Sequence, residues 1–67
     1  MSPEWWRGSL LKKARQKRKL TQQALADKVG IRQETIARLE TGKRQPSMDL
    51  LYRLAKALKV KVGDLLE

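Results

Sequence analysis

The sequence predicts an all-α fold, five short helices packed as one compact domain, and three observations predict it. Apolar residues recur at three- and four-residue spacing through most of the 67 residues, and no segment sustains the alternation of a half-buried strand. Glycines, and a proline at position 46, fall between the apolar runs, where helices stop and start. Helix-forming residues dominate the stretches between them. A chain this short buries only about 60% of the surface its unfolded form exposes. It has no cysteine, so neither a disulfide nor a thiolate metal site supplements the core. Stability therefore rests on helix packing, with a second subunit as the remaining source.

Each element has its own signals. Ser2-Pro3-Glu4 offers a first helix start, with a Ser cap, Pro at the first helical position and an acid in the first turn. Gly8-Ser9 offers a second. From either, Leu10, Leu11 and Ala14 form an apolar stripe, and the helix is expected to end near Lys19 among basic residues suited to a C-terminus. Residues 1–9 are thus an N-terminal arm or an extension of the first helix, and residues 10–67 form the domain. Whether Trp5 and Trp6 join the helix, lie on a loose arm or pack at the core edge stays open. Thr21 caps a second helix, Gln22 to Val29, with Leu25, Ala26 and Val29 inward, and Gly30 ends it by accepting a positive φ. A third helix runs from Gln33 to Glu40 or Thr41 with Ile36 and Leu39 inward, and Gly42 ends it. After Lys43-Arg44-Gln45, Pro46-Ser47 opens a fourth helix whose Leu50, Leu51, Leu54, Ala55 and Leu58 form the broadest apolar face in the chain. A short fifth helix near Val62 to Leu66 closes the domain.

Charge bounds the partner. Sixteen Lys and Arg against seven Asp and Glu leave a formal +9, a field that attracts polyanions and speeds their capture. Nucleic acid is the expected partner and an anionic membrane surface its rival. Trp5 and Trp6 beside Leu10, Leu11, Lys12 and Lys13 resemble a membrane-surface helix only faintly. No apolar run reaches the roughly 18 residues of a membrane span, and Met1–Arg7 lacks a signal-peptide core, so a cytoplasmic protein without membrane association is expected. Catalysis is not expected either. There is no histidine, no cysteine, no glycine-rich phosphate loop and no metal-ligand spacing, and no cofactor is implied.

The second and third helices, each about eight residues and joined by a tight glycine turn, form a helix-turn-helix. Ala26 is small where the two must approach, and Leu25, Val29, Ile31, Ile36 and Leu39 seal the wedge between them. Placing Ile36 and Leu39 inward turns Arg32, Gln33, Ala37 and Arg38 outward, with Glu34 and Thr35 at the margins. A helix this short and polar on its outer face fits the major groove of duplex DNA and reaches base edges.

The run Thr21-Gln22-Gln23-Ala24-Leu25-Ala26-Asp27-Lys28-Val29-Gly30, then Ile31 through Leu39-Glu40-Thr41-Gly42-Lys43, resembles the phage repressor and Cro-type (XRE-like) helix-turn-helix family. The likeness continues through Pro46-Ser47, Leu50-Leu51, Leu54 to Leu58 and Val62 to Leu66, covering roughly residues 10 to 67. It implies a compact five-helix domain of the lambda-repressor type, sequence-specific binding to duplex DNA and a role as a transcriptional repressor. It also implies a homodimer on a palindromic operator, with half-sites one helical turn apart. Gln22 then meets a phosphate through its side chain and the helix N-terminus, with Gln23 and Lys19 beside it. Gln33, Glu34 and Arg38 fall where bases are read, with Arg32 at the entrance of that helix, and Lys43 and Arg44 where the backbone is gripped. Arg15 and Glu40 match a partly buried salt bridge. The dense basic run Lys12, Lys13, Lys17, Arg18 and Lys19 is divided between solvent and phosphate.

Departures from the family pattern matter too. Arg32 stands where a Ser or Thr cap is usual, which forgoes roughly 0.5–2 kcal/mol. A phosphate or guanine contact offsets that loss, or the charge is merely tolerated. Glu34 either accepts from cytosine N4 or pairs with Arg38 one turn on. Lys59 replaces a common glycine, and Lys61 a usual Ser or Thr cap. Leu50, Leu51, Tyr52, Leu65, Leu66, Trp5 and Trp6 are candidates for a subunit interface. The alternative to a DNA-binding regulator is a protein-interaction module, such as an antitoxin that neutralises a toxin-like partner.

Overall fold

Four α-helices and one 3-10 turn account for the regular structure of residues 3–66, the residues that the computed structural model describes. The helices are α1 (Gly8–Lys17), α2 (Gln22–Val29), α3 (Gln33–Glu40) and α4 (Met48–Leu58), and the turn spans Val62–Leu65. The fold is all-α, as the periodicity predicts. The fifth element is tighter than expected. It contains Gly63, the weakest helix former after proline, and begins at Lys61, whose side chain has no acceptor to cap it. Only the Asp64 carboxylate reaches back to the Lys61 N–H, at 3.1 Å.

Helix boundaries follow local chemistry. Of the two possible starts for α1, the later one is used. Ser2 lies outside the described residues, and residues 3–7 are not helical. They form a strap that opens with a turn, Trp6 N–H donating to the Pro3 carbonyl at 3.1 Å. α1 stops at Lys17, short of the expected Lys19, because Lys19 is left-handed (φ 56°) and Leu20 N–H turns back to the Arg15 carbonyl. Thr21 Oγ1 accepts from Ala24 N–H and Ser47 Oγ from Leu50 N–H, so α2 and α4 carry the caps their sequences promise. Gly30, at φ 75°, turns the chain between α2 and α3.

α2 packs on α3 and α4, and α1 packs on α3 and the 3-10 turn. One continuous core lies between them. It contains Leu11, Leu25, Ile36, Leu39, Leu54, Leu58 and Leu65, all fully buried. Trp6 joins it, 2% exposed, with its indole N–H donating to the Leu39 carbonyl at 3.0 Å. Its backbone also pairs with that of Leu66, so the strap ties the two ends of the domain together. Gly8 is what permits this approach. A Cβ there would lie 2.3 Å from the Leu39 carbonyl oxygen and 2.4 Å from that of Glu40.

The apolar residues expected at a subunit interface are mostly interior. Leu50, Leu51, Leu65 and Trp6 are buried within the chain, because the broad face of α4 is consumed by its own core. What remains exposed is Tyr52, with Met48 one turn before it on α4, and Trp5 on the strap.

Candidate nucleic-acid interface

α3 is anchored by its inner face and presents its outer one. Ile36 and Leu39 are fully buried, Glu40 nearly so, and Arg32, Glu34 and Arg38 are exposed. At about 1.5 Å per residue, eight residues make a rod near 12 Å long, comparable to the roughly 12 Å width of the major groove. Arg32 occupies the N-cap position with no side-chain hydrogen bond, so the backbone donors at that end lack the usual cap.

Beyond α3, Gly42 takes φ 77° and the chain curls back. The N–H groups of Lys43 and Arg44 both donate to the Arg38 carbonyl, at 3.0 and 3.3 Å. That turn holds two exposed cations at the exit of the helix. At the other side, the N-terminus of α2 brings Gln22 against α3.

A hydrogen-bonded chain runs through this junction. Arg15 donates through Nε and Nη2 to the two oxygens of Glu40, at 2.6 and 3.1 Å, and through Nη1 to the Leu20 carbonyl at 2.7 Å. Gln22 Nε2 donates to Glu40 Oε1 at 3.0 Å, and Gln33 Nε2 donates to Gln22 Oε1 at 2.6 Å. The Arg15–Glu40 pair thus forms. It does more than join α1 to the end of α3, since it continues into two residues expected to face DNA. Buried charges keep their place only when paired and hydrogen-bonded in this way.

The remaining candidates divide cleanly. Glu34 and Arg38 make no ion pair with each other, which leaves both heads open to solvent on the outer face. Gln23 is exposed, with its amide on Asp27 at 2.9 Å. Lys19 is exposed in its left-handed turn just before α2. Arg18 is diverted, donating to the carbonyls of Leu58 and Lys59 at 2.8 and 3.3 Å and so capping α4. Arg53 does the same for α2, through the Val29 carbonyl at 2.6 Å. The sequence singles out Gly8 as a helix start and Trp6 as a core-edge or interface residue, but not the close approach of Gly8 and the indole bond of Trp6 that together fix the exit end of α3. Their only sequence signal is a Trp two residues before a glycine. Among the described residues, no helix is long and apolar enough to cross a membrane, and no group of acids could hold a metal ion.

Two helices of eight residues meeting across a left-handed glycine, the second with a polar, cation-bearing outer face, define a helix-turn-helix domain. The sequence profile of the helix-turn-helix family matches residues 11–65, and the chain belongs to that family. It is 44% identical over 55 residues to an HTH-type transcriptional regulator of Archaeoglobus fulgidus, covering 82% of this chain and 78% of that one. Its structure resembles the restriction-modification controller protein C.AhdI from Aeromonas hydrophila, with a TM-score of 0.83, 29% identity and coverage of 87% and 88%. It also resembles part of the hydroxypropylphosphonic acid epoxidase from S. wedmorenis, with a TM-score of 0.84 and 33% identity over 90% of this chain. The matched region is 32% of that enzyme. The same architecture therefore occurs both in regulators and inside an enzyme, and the site must decide between them.

Proposed function

We propose that this chain binds duplex DNA with sequence selectivity, seats α3 in the major groove and regulates transcription, as a repressor that occupies its operator. The observation that carries this reading is the outer face of α3. The side chains of Arg32, Glu34 and Arg38 stand exposed there without intramolecular partners, and Gln33 is held in place beside them. A helix face serving only solubility has no need to fix a glutamine by a bond to another element. Arg38 and Arg32 suit guanine O6 and N7, and Glu34 suits cytosine N4. Lys43 and Arg44 at the exit of α3, with Lys19 and the N-terminus of α2, serve in this reading as phosphate contacts, which position the domain without reading sequence. The regulators among its relatives support the assignment. Two copies on a palindrome follow if the exposed Met48 and Tyr52 meet across a two-fold axis.

Selection of bound duplexes from a random pool, followed by salt titration, tests the reading. An enriched motif is expected, with affinity falling by about 0.9 in log–log slope for each phosphate neutralised. Absence of any enriched motif, with binding equal on all duplexes, removes it and favours a protein-interaction role.

A further inference from the structure

We infer that the cleft between the C-terminal ends of α2 and α4 docks an acidic peptide segment of a partner protein. An apolar side chain of that segment rests on Val29 and Ala57, and its carboxylates meet the surrounding cations. The cleft has a volume of about 440 Å3 and is lined by Lys28, Val29, Arg53, Lys56, Ala57 and Lys59. Four of those six residues are cationic and none is acidic. No residue of α3 or of the turn after it takes part. The surface is therefore separate from the one assigned to bases, and the inference stands independently of that assignment.

Lys59 marks the cleft as more than a solvated face. It closes α4 at φ 56°, a left-handed conformation that strains an L-residue and that glycine adopts freely. Its charge is not needed to cap a helix. Arg18 already donates to the Leu58 and Lys59 carbonyls at the end of α4, at 2.8 and 3.3 Å. Arg53 does the same for the Val29 carbonyl at the end of α2, at 2.6 Å. The side chains of Lys28, Lys56 and Lys59 are left without an intramolecular hydrogen bond or ion pair. Asp49 reaches Arg53 at 3.4 Å but does not line the cleft. Strain retained at an unpartnered cation points to a function outside the fold.

The floor decides which polyanion fits. A duplex presents phosphates and sugars, with nothing apolar to set against Val29 and Ala57. A peptide of acids interrupted by an apolar residue satisfies floor and rim together, its carboxylates accepting from ammonium and guanidinium donors.

The test measures anisotropy of a short fluorescein-labelled peptide of glutamates interrupted by leucines, added to the full chain. Salt is held at about 0.15 M, where exposed charges more than about 8 Å apart are screened. Lys59→Gly removes one cation while relieving strain, so folding does not confound it, and it should weaken the peptide about two- to fivefold. Lys28→Glu with Lys56→Glu should weaken it by on the order of tenfold or more. Lys43→Gln with Arg44→Gln, at the exit of α3, should leave it within about twofold, screening having removed the distant charges. Circular dichroism checks each fold, and Lys59→Gly carries the test if the double glutamate variant does not fold. Serine in place of each leucine in the peptide should weaken binding several-fold, and equal binding would make the cleft a site for any polyanion and overturn the assignment. Failure of the wild type to bind the peptide overturns it too. So does an equal loss from the Lys43 and Arg44 variant, which would reduce the effect to net charge. Cleft variants that weaken a DNA duplex as much as the peptide would make these cations phosphate contacts and overturn it as well.

Discussion

Replacing Gly8 by alanine should destabilise the domain, although helix propensity argues the opposite. Gly8 is the first residue of α1, and alanine is favoured over glycine in helices by roughly 0.5–1 kcal/mol. Yet the added methyl would stand 2.3 Å from the Leu39 carbonyl oxygen, 2.4 Å from that of Glu40 and 2.5 Å from the Glu40 carbonyl carbon. All three are backbone atoms at the end of α3, with no side chain to swing aside. Overpacking of this kind costs about 1–3 kcal/mol, so the clash outweighs the propensity gain and a net loss near 1–2 kcal/mol is expected. For 67 residues the unfolding entropy is about 140 cal/mol/K near 60 °C, so each kcal/mol moves Tm by about 7 °C. Thermal melts followed at 222 nm should place Gly8→Ala about 7–14 °C below the wild type. Gly63→Ala is the control, because nothing lies within 4 Å of the added methyl, and it should melt within a few degrees of the wild type. A Gly8→Ala protein as stable as the wild type, or more so, would refute the close packing of α1 on the exit of α3.

Three other expectations follow from single contacts. Lys59 ends α4 in the left-handed region at φ 56°, a conformation costing an L-residue about 1–2 kcal/mol; Lys59→Gly should raise Tm by several degrees, and a fall would mean the lysine makes a compensating contact. Trp6→Phe keeps a ring in the core but withdraws the indole donor from the Leu39 carbonyl, which keeps the Gly42 N–H at 3.3 Å, a loss of about 0.5–1.5 kcal/mol in urea unfolding; an unchanged midpoint would show the bond to be dispensable. Arg32→Ser restores a cap to α3 and should add roughly 0.5–2 kcal/mol of stability while weakening binding to the selected duplex. Gain in both properties would remove Arg32 from the DNA contact.

The helix-turn-helix was legible because its demands are local. Caps at Thr21 and Ser47, the glycine at 30 and the inward spacing of Leu25, Val29, Ile36 and Leu39 all lie within a turn or two of the structure they specify. What the sequence concealed is long-range. The Trp6 bond to Leu39 spans 33 residues, and nothing in local periodicity marks it. The Glu40–Gln22–Gln33 chain joins residues 18 and 11 apart, which sequence reading sorts into separate structural, phosphate and base roles. The apolar face of α4 misled in another way. Its pattern shows that Leu50 and Leu51 must be covered, but not whether the cover is a second copy or, as it proves, the chain's own core. Lys59 was visible as an oddity, and its left-handed backbone explains why glycine is the easier residue there.

Base reading by α3 is tested most directly by measuring Arg38→Ala against a panel of duplexes, each carrying one substitution in the selected motif, at fixed salt. If Arg38 reads a base, the variant loses discrimination at one position, by about 1–3 kcal/mol, and keeps it at the others. A uniform loss on every duplex, motif and scrambled alike, would make Arg38 a phosphate contact and contradict the placement of α3 in the groove.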